Sequence, residues 1–198
     1  MILNHLMGLY THPKQEWQTI ERNHEAVKSS LSHILLIALI PAVCSFVATA
    51  YIGWHPANGE LLFLTPQSAM FMSVGMYFGL IAGVFALAYL SYWMAKTFDA
   101  APTFTQALEL AAYTATPLFM VGISALYPVL WFMMLVGLAG LAYSVYLLYA
   151  GVPIIMNIPE EKGFIYASSV VTAGLVLLVG LMGTSVILWS LGLGPMMQ

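Results

Sequence analysis

Polar residues along this chain are gathered into short interruptions between long apolar runs. Five runs reach the roughly 20 residues that an α-helix needs to cross a bilayer: 33–54, 68–94, 105–126, 128–150 and 167–191. The third and fourth are joined by little more than Tyr127-Pro128, a tight reversal that makes them antiparallel neighbours. The pattern predicts an all-α integral membrane protein. Its parts are a five-span bundle over 33–198 and a more polar N-terminal segment over 1–32, read as one amphipathic helix.

In that first segment, Trp17, Ile20, His24, Val27 and Leu31 recur at helical spacing. Glu16, Glu21, Glu25, Lys14, Arg22 and Lys28 make the opposite, charged side. Thr11 or His12 can cap it, and Pro13 suits its first turn. Such a helix lies on the membrane surface or docks under the bundle.

Composition agrees. Of 198 residues, 61% are hydrophobic and 7% charged, with five basic and eight acidic side chains. Ordinary globular chains carry about 25% charged residues; here lipid must cover most of the exterior. No basic block points to nucleic acid. The single Cys44 lies in an apolar run and reads as a packing residue. Thirteen methionines, Met72 and Met76 among them on one face, read as adaptable core filler without a regular thioether motif.

The basic residues orient the bundle. Lys14, Arg22 and Lys28 precede the first run, Lys96 falls between the second and third, and Lys162 between the fourth and fifth. All lie on one side of a five-span chain. The positive-inside rule makes that side cytoplasmic and puts the C-terminus outside. Trp54 and Tyr127 at one boundary, and Trp93 and Tyr149 at the other, are expected interfacial anchors.

Two groups of residues carry candidate chemistry. Glu109 is the one charge within the third run, and Tyr113 and Thr116 follow it on the same helix face. Pro117 removes a backbone donor and frees the carbonyl of Tyr113. These oxygen groups suit a proton, a hard cation such as a divalent metal, or a polar solute. The contrary reading turns Glu109 to the interface or pairs it with Lys96. In the N-terminal segment, Glu21 and His24 stand three apart, with Glu25, His12 and Glu16 nearby, a spacing that serves carboxylate–imidazole metal sites on helices. A solvated salt-bridge face explains the same residues. His5, His33 and His55 are scattered near run ends.

Gly75, Gly79 and Gly83 form a four-residue stripe in the second run, a helix-packing signal. Its expected partner is another helix of the same chain, with a second copy as the alternative. Pro41 and Pro117 interrupt their runs and need protein or water around them.

"AYTATP" (112–117), the reversal at Tyr127-Pro128 and "YSVYLLYAG" (143–151) resemble the Yip family, named for interaction with Ypt/Rab proteins. "HPKQEW" (12–17) resembles the N-terminal element of its bacterial branch, uncharacterised inner-membrane proteins of this length. The resemblance implies a five-helix bundle with a cytoplasmic N-terminus. Eukaryotic relatives bind Rab GTPases in vesicle traffic. This chain lacks their long cytosolic region and its Asp-Leu-Trp-Gly-Pro element, so that role is not carried over. Tyr113, Pro117, Tyr149 and Gly151 match the family pattern.

No phosphate loop, nucleophile elbow or His-Glu-x-x-His pair is present, and the chain is read as non-enzymatic. Glu160 and Glu161 are expected to open the last helix, complementing its dipole. Two functions compete. One is binding, and passage, of a small cation or polar solute, with a homodimer completing the pathway. The other is a scaffold that holds a protein partner or organises lipid.

Overall fold

The computed structural model describes residues 2–23, 27–54, 61–194 and 196–197. Among these residues seven α-helices follow one another: α1 (Ile2–Thr11), α2 (Pro13–Asn23), α3 (Val27–Val47), α4 (Pro66–Ala95), α5 (Phe104–Val121), α6 (Leu130–Ile155) and α7 (Glu160–Leu188). Short π or 3-10 turns extend α3, α4, α5 and α7. Among the described residues five segments are long and apolar enough to cross a membrane: Lys28–Ile52, Pro66–Phe98, Phe104–Leu126, Leu130–Ile155 and Glu161–Gly192. The bundle is thus the five-span one expected. The first and last spans start earlier than their apolar runs, because a helix continues through polar residues as long as its backbone bonds do.

The N-terminal segment is two helices rather than one. Pro13 has no N–H, and the residue before a proline is pushed out of the helical region, so the helix breaks at His12. Pro13 then opens α2 in the position foreseen. Val27 and Leu31 belong to α3, so the apolar side of α2 is carried by Trp17 and Ile20, both fully buried.

The centre of the molecule is α5, which packs on α3, α4 and α6. Thr103 caps it. The Thr103 hydroxyl accepts from Gln106 N at 3.3 Å, and the Gln106 side chain accepts from Thr103 N at 2.7 Å, a reciprocal cap that satisfies two free donors. Eleven residues of α5 are buried, Glu109, Tyr113 and Thr116 among them. A helix shielded on three sides is where polar groups can survive in hydrocarbon.

Close approaches are set by glycine. A side chain at Gly122 would meet the Cα of Pro41 at 2.5 Å, so the turn after α5 lies directly on the α3 backbone. One at Gly140 would collide with Val121 Cγ2 and come 3.4 Å from the Pro117 carbonyl, which presses α6 onto the proline-bearing end of α5. The stripe of Gly75, Gly79 and Gly83 does not serve this purpose: nothing lies within 4 Å of their missing side chains. The expected intrachain packing is corrected here. The inner face of α4 is instead Ala69, Ser73, Val84, Ala88, Ser91 and Ala95, small enough for the same close contact, and the glycines face outward.

Two sets of contacts mark the ends of the bundle. At one end, Lys162 Nζ donates to Asp99 Oδ2 at 2.6 Å. The contact ties the α4–α5 connection to the start of α7 and holds the Asp99 carboxyl below its ordinary range. Tyr166 donates to the Ser91 carbonyl at 2.6 Å just beneath. At the other end, Thr65 N donates to the Met196 carbonyl at 3.0 Å, and Leu64 pairs with Met197. Between these ends α7 leaves the bundle, and residues 178–192 are exposed on every side. Trp54, Tyr127 and Trp93 face outward as anchors should. Tyr149 does not, since its hydroxyl is 2.7 Å from Ser168 Oγ on α7.

Candidate functional site

Glu109 stands in the second turn of α5 and is only 3% exposed. It therefore points into protein, not to the lipid interface. Lys96 is no partner for it, because the Lys96 ammonium lies 5.7 Å above the Tyr92 ring. Tyr113 and Thr116 are 1% exposed on the same side of the helix. The stripe read from their spacing is thus assembled and internal.

A residue from another span completes it. His33, in the second turn of α3, is 1% exposed. Its Nε2 lies 2.9 Å from Thr116 Oγ1, and its ring centre is 4.6 Å from that of Tyr113. The Thr116 hydroxyl also lies 3.1 Å from the Ala112 carbonyl, so Thr116 joins the α3 imidazole to the α5 backbone, its one proton going to whichever of the two the His33 tautomer leaves as acceptor. The cluster thus contains two groups able to exchange a proton, the Glu109 carboxyl and the His33 imidazole, inside the membrane-spanning part.

The site is closed from the N-terminal side by α2. Trp17 is fully buried and meets Tyr113 edge to face, 6.3 Å between ring centres at 88°. Its indole fits where Gly151 has no side chain: a Cβ there would come 2.7 Å from Trp17 Cε2 and 2.8 Å from Leu110 Cδ1. α1 is fastened in turn, with Tyr143 of α6 donating to the Leu9 carbonyl at 2.8 Å. Tyr10 stacks on Tyr143, 5.2 Å between ring centres and 5° between planes, and this burial raises the Tyr10 phenol. Ser30, one turn before His33 on α3, is also fully buried.

The proposed N-terminal metal ligands are not brought together in the same way. His24 and Glu25 lie outside the described residues. His12 is exposed at the break between α1 and α2, while Glu16 and Glu21 are part-exposed on α2. Glu16 reaches back over Gly8 of α1. Among the described residues, no three His, Cys, Asp or Glu side chains gather to hold a metal ion.

His33, Trp17 and Gly151 were the contributors that sequence reasoning did not assign to the site. His33 falls at the edge of an apolar run, where a histidine is unremarked, and only the packing of α3 on α5 brings it to Thr116. Trp17 was visible as an apolar position but not as a cover.

The Thr116 bond allows a direct test. Thr116→Val keeps the shape and removes the buried hydrogen bond to His33 Nε2, at a cost of about 1–3 kcal/mol. Thr116→Ser keeps the hydroxyl. Unfolding in detergent should show the valine variant less stable and the serine variant close to the parent.

Comparison with known proteins gives this arrangement a family. Residues 7–181 match the family model described as the Yip1 domain. Two curated relatives, both called "Inner membrane protein YohC", are from Escherichia coli strain K12 and from the O6:H1 strain CFT073. Each is 38% identical over 191 residues, covering 96% of this chain and 98% of the relative. No solved structure matches. A domain match over most of the length, with these full-length relatives, places the chain in the Yip1 domain family.

Proposed function

We propose that this is a multi-pass inner-membrane protein, with its N-terminal helices in the cytoplasm, that binds and passes a proton or small cation through the Glu109–His33 cluster. The observation that carries the reading is that a carboxyl group and an imidazole are each buried inside the membrane-spanning bundle, Glu109 one turn before Tyr113 on α5 and the His33 ring against Tyr113 itself. A charge costs about 2.5–3.5 kcal/mol at mid-helix on insertion scales and less near a helix end, where Glu109 stands, and such residues by default mark ion or proton pathways. The close fit of Tyr113 and Thr116 around the cluster favours a proton over a hydrated metal ion. The bonded threonine supports this too, since it holds the His33 ring in place. The chain would act without catalysing a covalent change, and its N-terminal carboxylates and histidines would offer a divalent metal a place to arrive.

The orientation rests on the segregation of all five basic residues to the side of α1 and α2, and the membrane on the name of the E. coli relatives. The test is flux in liposomes loaded with a pH dye, repeated with divalent-cation indicators. Glu109→Gln should abolish proton flux that the parent protein supports. Equal flux in both, no higher than in empty liposomes, removes the transport reading.

One observation favours the second reading, a scaffold for a protein partner or a second copy. The stripe of Gly75, Gly79 and Gly83 faces outward with nothing against it, and such stripes admit a neighbouring helix closely. In that reading the buried cluster is structural, and Glu109→Gln changes stability but no flux.

A further inference from the structure

Gly75, Gly79 and Gly83 lie on one ridge of α4 that repeats every four residues and continues to Phe71 at one end and Leu87 at the other. Both ends of that ridge meet the last span. A side chain on Gly174 of α7 would come 3.5 Å from Leu87 Cδ1. Phe71 lines a recess together with Gly192, Gly194 and Met196. The glycines therefore run from one contact with the last span to the other, yet nothing lies within 4 Å of their missing side chains. Between the same two contacts, residues 178–192 of that span are exposed. Two helix surfaces thus stand bare between the points at which they are joined.

The joints are firm and hold the two helices in one register. At the near end Tyr166 donates to the Ser91 carbonyl at 2.6 Å. At the far end Thr65 N donates to the Met196 carbonyl at 3.0 Å, and Met196 N donates to Ser68 Oγ at 3.0 Å. Gly192, with φ of 86°, supplies the left-handed turn that sends the chain back to α4. The same number of residues, 22, separates Thr65 from Leu87 and Gly174 from Met196. α7 runs antiparallel to α4, so Leu181, seven residues beyond Gly174, comes level with Gly79, eight before Leu87. Leu177 and Leu181 follow Gly174 on one side of α7. A glycine groove admits such side chains closely.

α7 has a second unfilled recess on its other flank. Leu175 and Leu178 stand at the rim of an apolar gap of about 190 Å³ against α5 and α6, lined also by Leu118 and Leu148. An unfilled recess forfeits the dispersion contacts its walls could make. One helix cannot fill both recesses, and packed interfaces of this kind settle into discrete arrangements rather than deforming continuously.

We infer that the outer half of α7 is a strap, tied to α4 near Gly174 and again at Met196, that rocks between the glycine groove of α4 and the gap beside α5 and α6. Seated on the groove, it packs Leu181 against Gly79 and leaves the gap open to lipid. Seated on the gap, it fills that space with Leu178 and leaves the glycines bare. The partner of the stripe is then a segment of the same chain. The inference uses none of the residues of the Glu109–His33 cluster and stands apart from the proposed ion pathway.

The test is disulfide formation by the full chain in liposomes. Cys44 is the single native cysteine, so Cys44→Ala gives a background without thiols. Gly79→Cys combined with Leu181→Cys should form a disulfide within one chain, which needs Cα atoms within about 7 Å. Gly79→Cys combined with Val179→Cys, on the opposite side of α7, should oxidise about tenfold more slowly, since that bridge needs backbone movement. Gly83→Leu fills the groove one turn away without a clash, as nothing lies within 4 Å of that position. It should slow the first pair about tenfold, the scale of one overpacked contact. Leu118→Trp, which fills the gap instead, should speed it. Equal rates for the two pairs would overturn the proposal, as would a disulfide that joins two copies. So would a rate of the first pair that neither filling variant alters, since it would show a helix fixed in one place.

Discussion

Trp17→Ala is expected to detach the N-terminal helices from the bundle at a cost of about 3–5 kcal/mol, the usual range for removing a fully buried tryptophan. Its indole touches α5 through Tyr113 and rests on α6 at Gly151. The void cannot close easily, because the surrounding residues belong to membrane helices held by their own contacts. Ile20, also fully buried, cannot replace the lost anchor from one turn away. Limited proteolysis is the most direct measurement. Sites in residues 13–23 should become cleavable in the variant while the spans stay protected. Gly151→Val should reach the same state from the other side, by filling the recess. Unchanged protection in both variants would show that α2 is held by something other than this contact.

The second large effect is expected at Gly122. A Cβ there would stand 2.5 Å from both Cα and Cβ of Pro41 and 3.1 Å from its nitrogen. These are atoms of a backbone and a rigid ring, so no side-chain rotation relieves the contact. Overpacking generally costs about 1–3 kcal/mol, and a contact that forces two helices apart belongs at or above the top of that range. Gly122→Ala should therefore lower the unfolding temperature markedly. Gly137→Ala is the control, because nothing lies within 4 Å of that position and alanine is the better helix former by about 0.5–1 kcal/mol. A similar loss in both variants would mean that backbone freedom, not crowding, makes Gly122 necessary.

The fold was legible because hydrocarbon is an undemanding reader of sequence. Length and apolarity were enough to find all five spans, and a proline at position 13 was enough to find the start of α2. The polar side of the site was legible for a related reason. Glu109 is the lone charge in its run, and the helical repeat alone puts Tyr113 and Thr116 beside it. What could not be read was anything that depends on which helix meets which. His33 reaches Thr116 only because α3 crosses α5, and no periodicity within either run records that crossing. The glycine stripe misled for the same reason. Missing side chains announce that a close approach is possible without saying from where, and the alanines and serines on the other face of α4 did the packing instead. His24 and Glu25, on which the N-terminal metal reading depends, lie outside the described residues.

The bare outer half of the last helix has a mechanical consequence. The span Glu161–Gly192 contains 32 residues, about 48 Å of helix at 1.5 Å per residue, against a hydrocarbon layer about 30 Å thick. It must lean, and although residues 178–192 are exposed, its far end is tied through Met196 and Met197 to Leu64 and Thr65, so its angle answers to the bilayer about that tie. A thinner membrane would tip it further and a thicker one would draw it upright. Leu175 and Leu178 would move with it, so lipid composition would set how wide the gap beside α5 and α6 stands open.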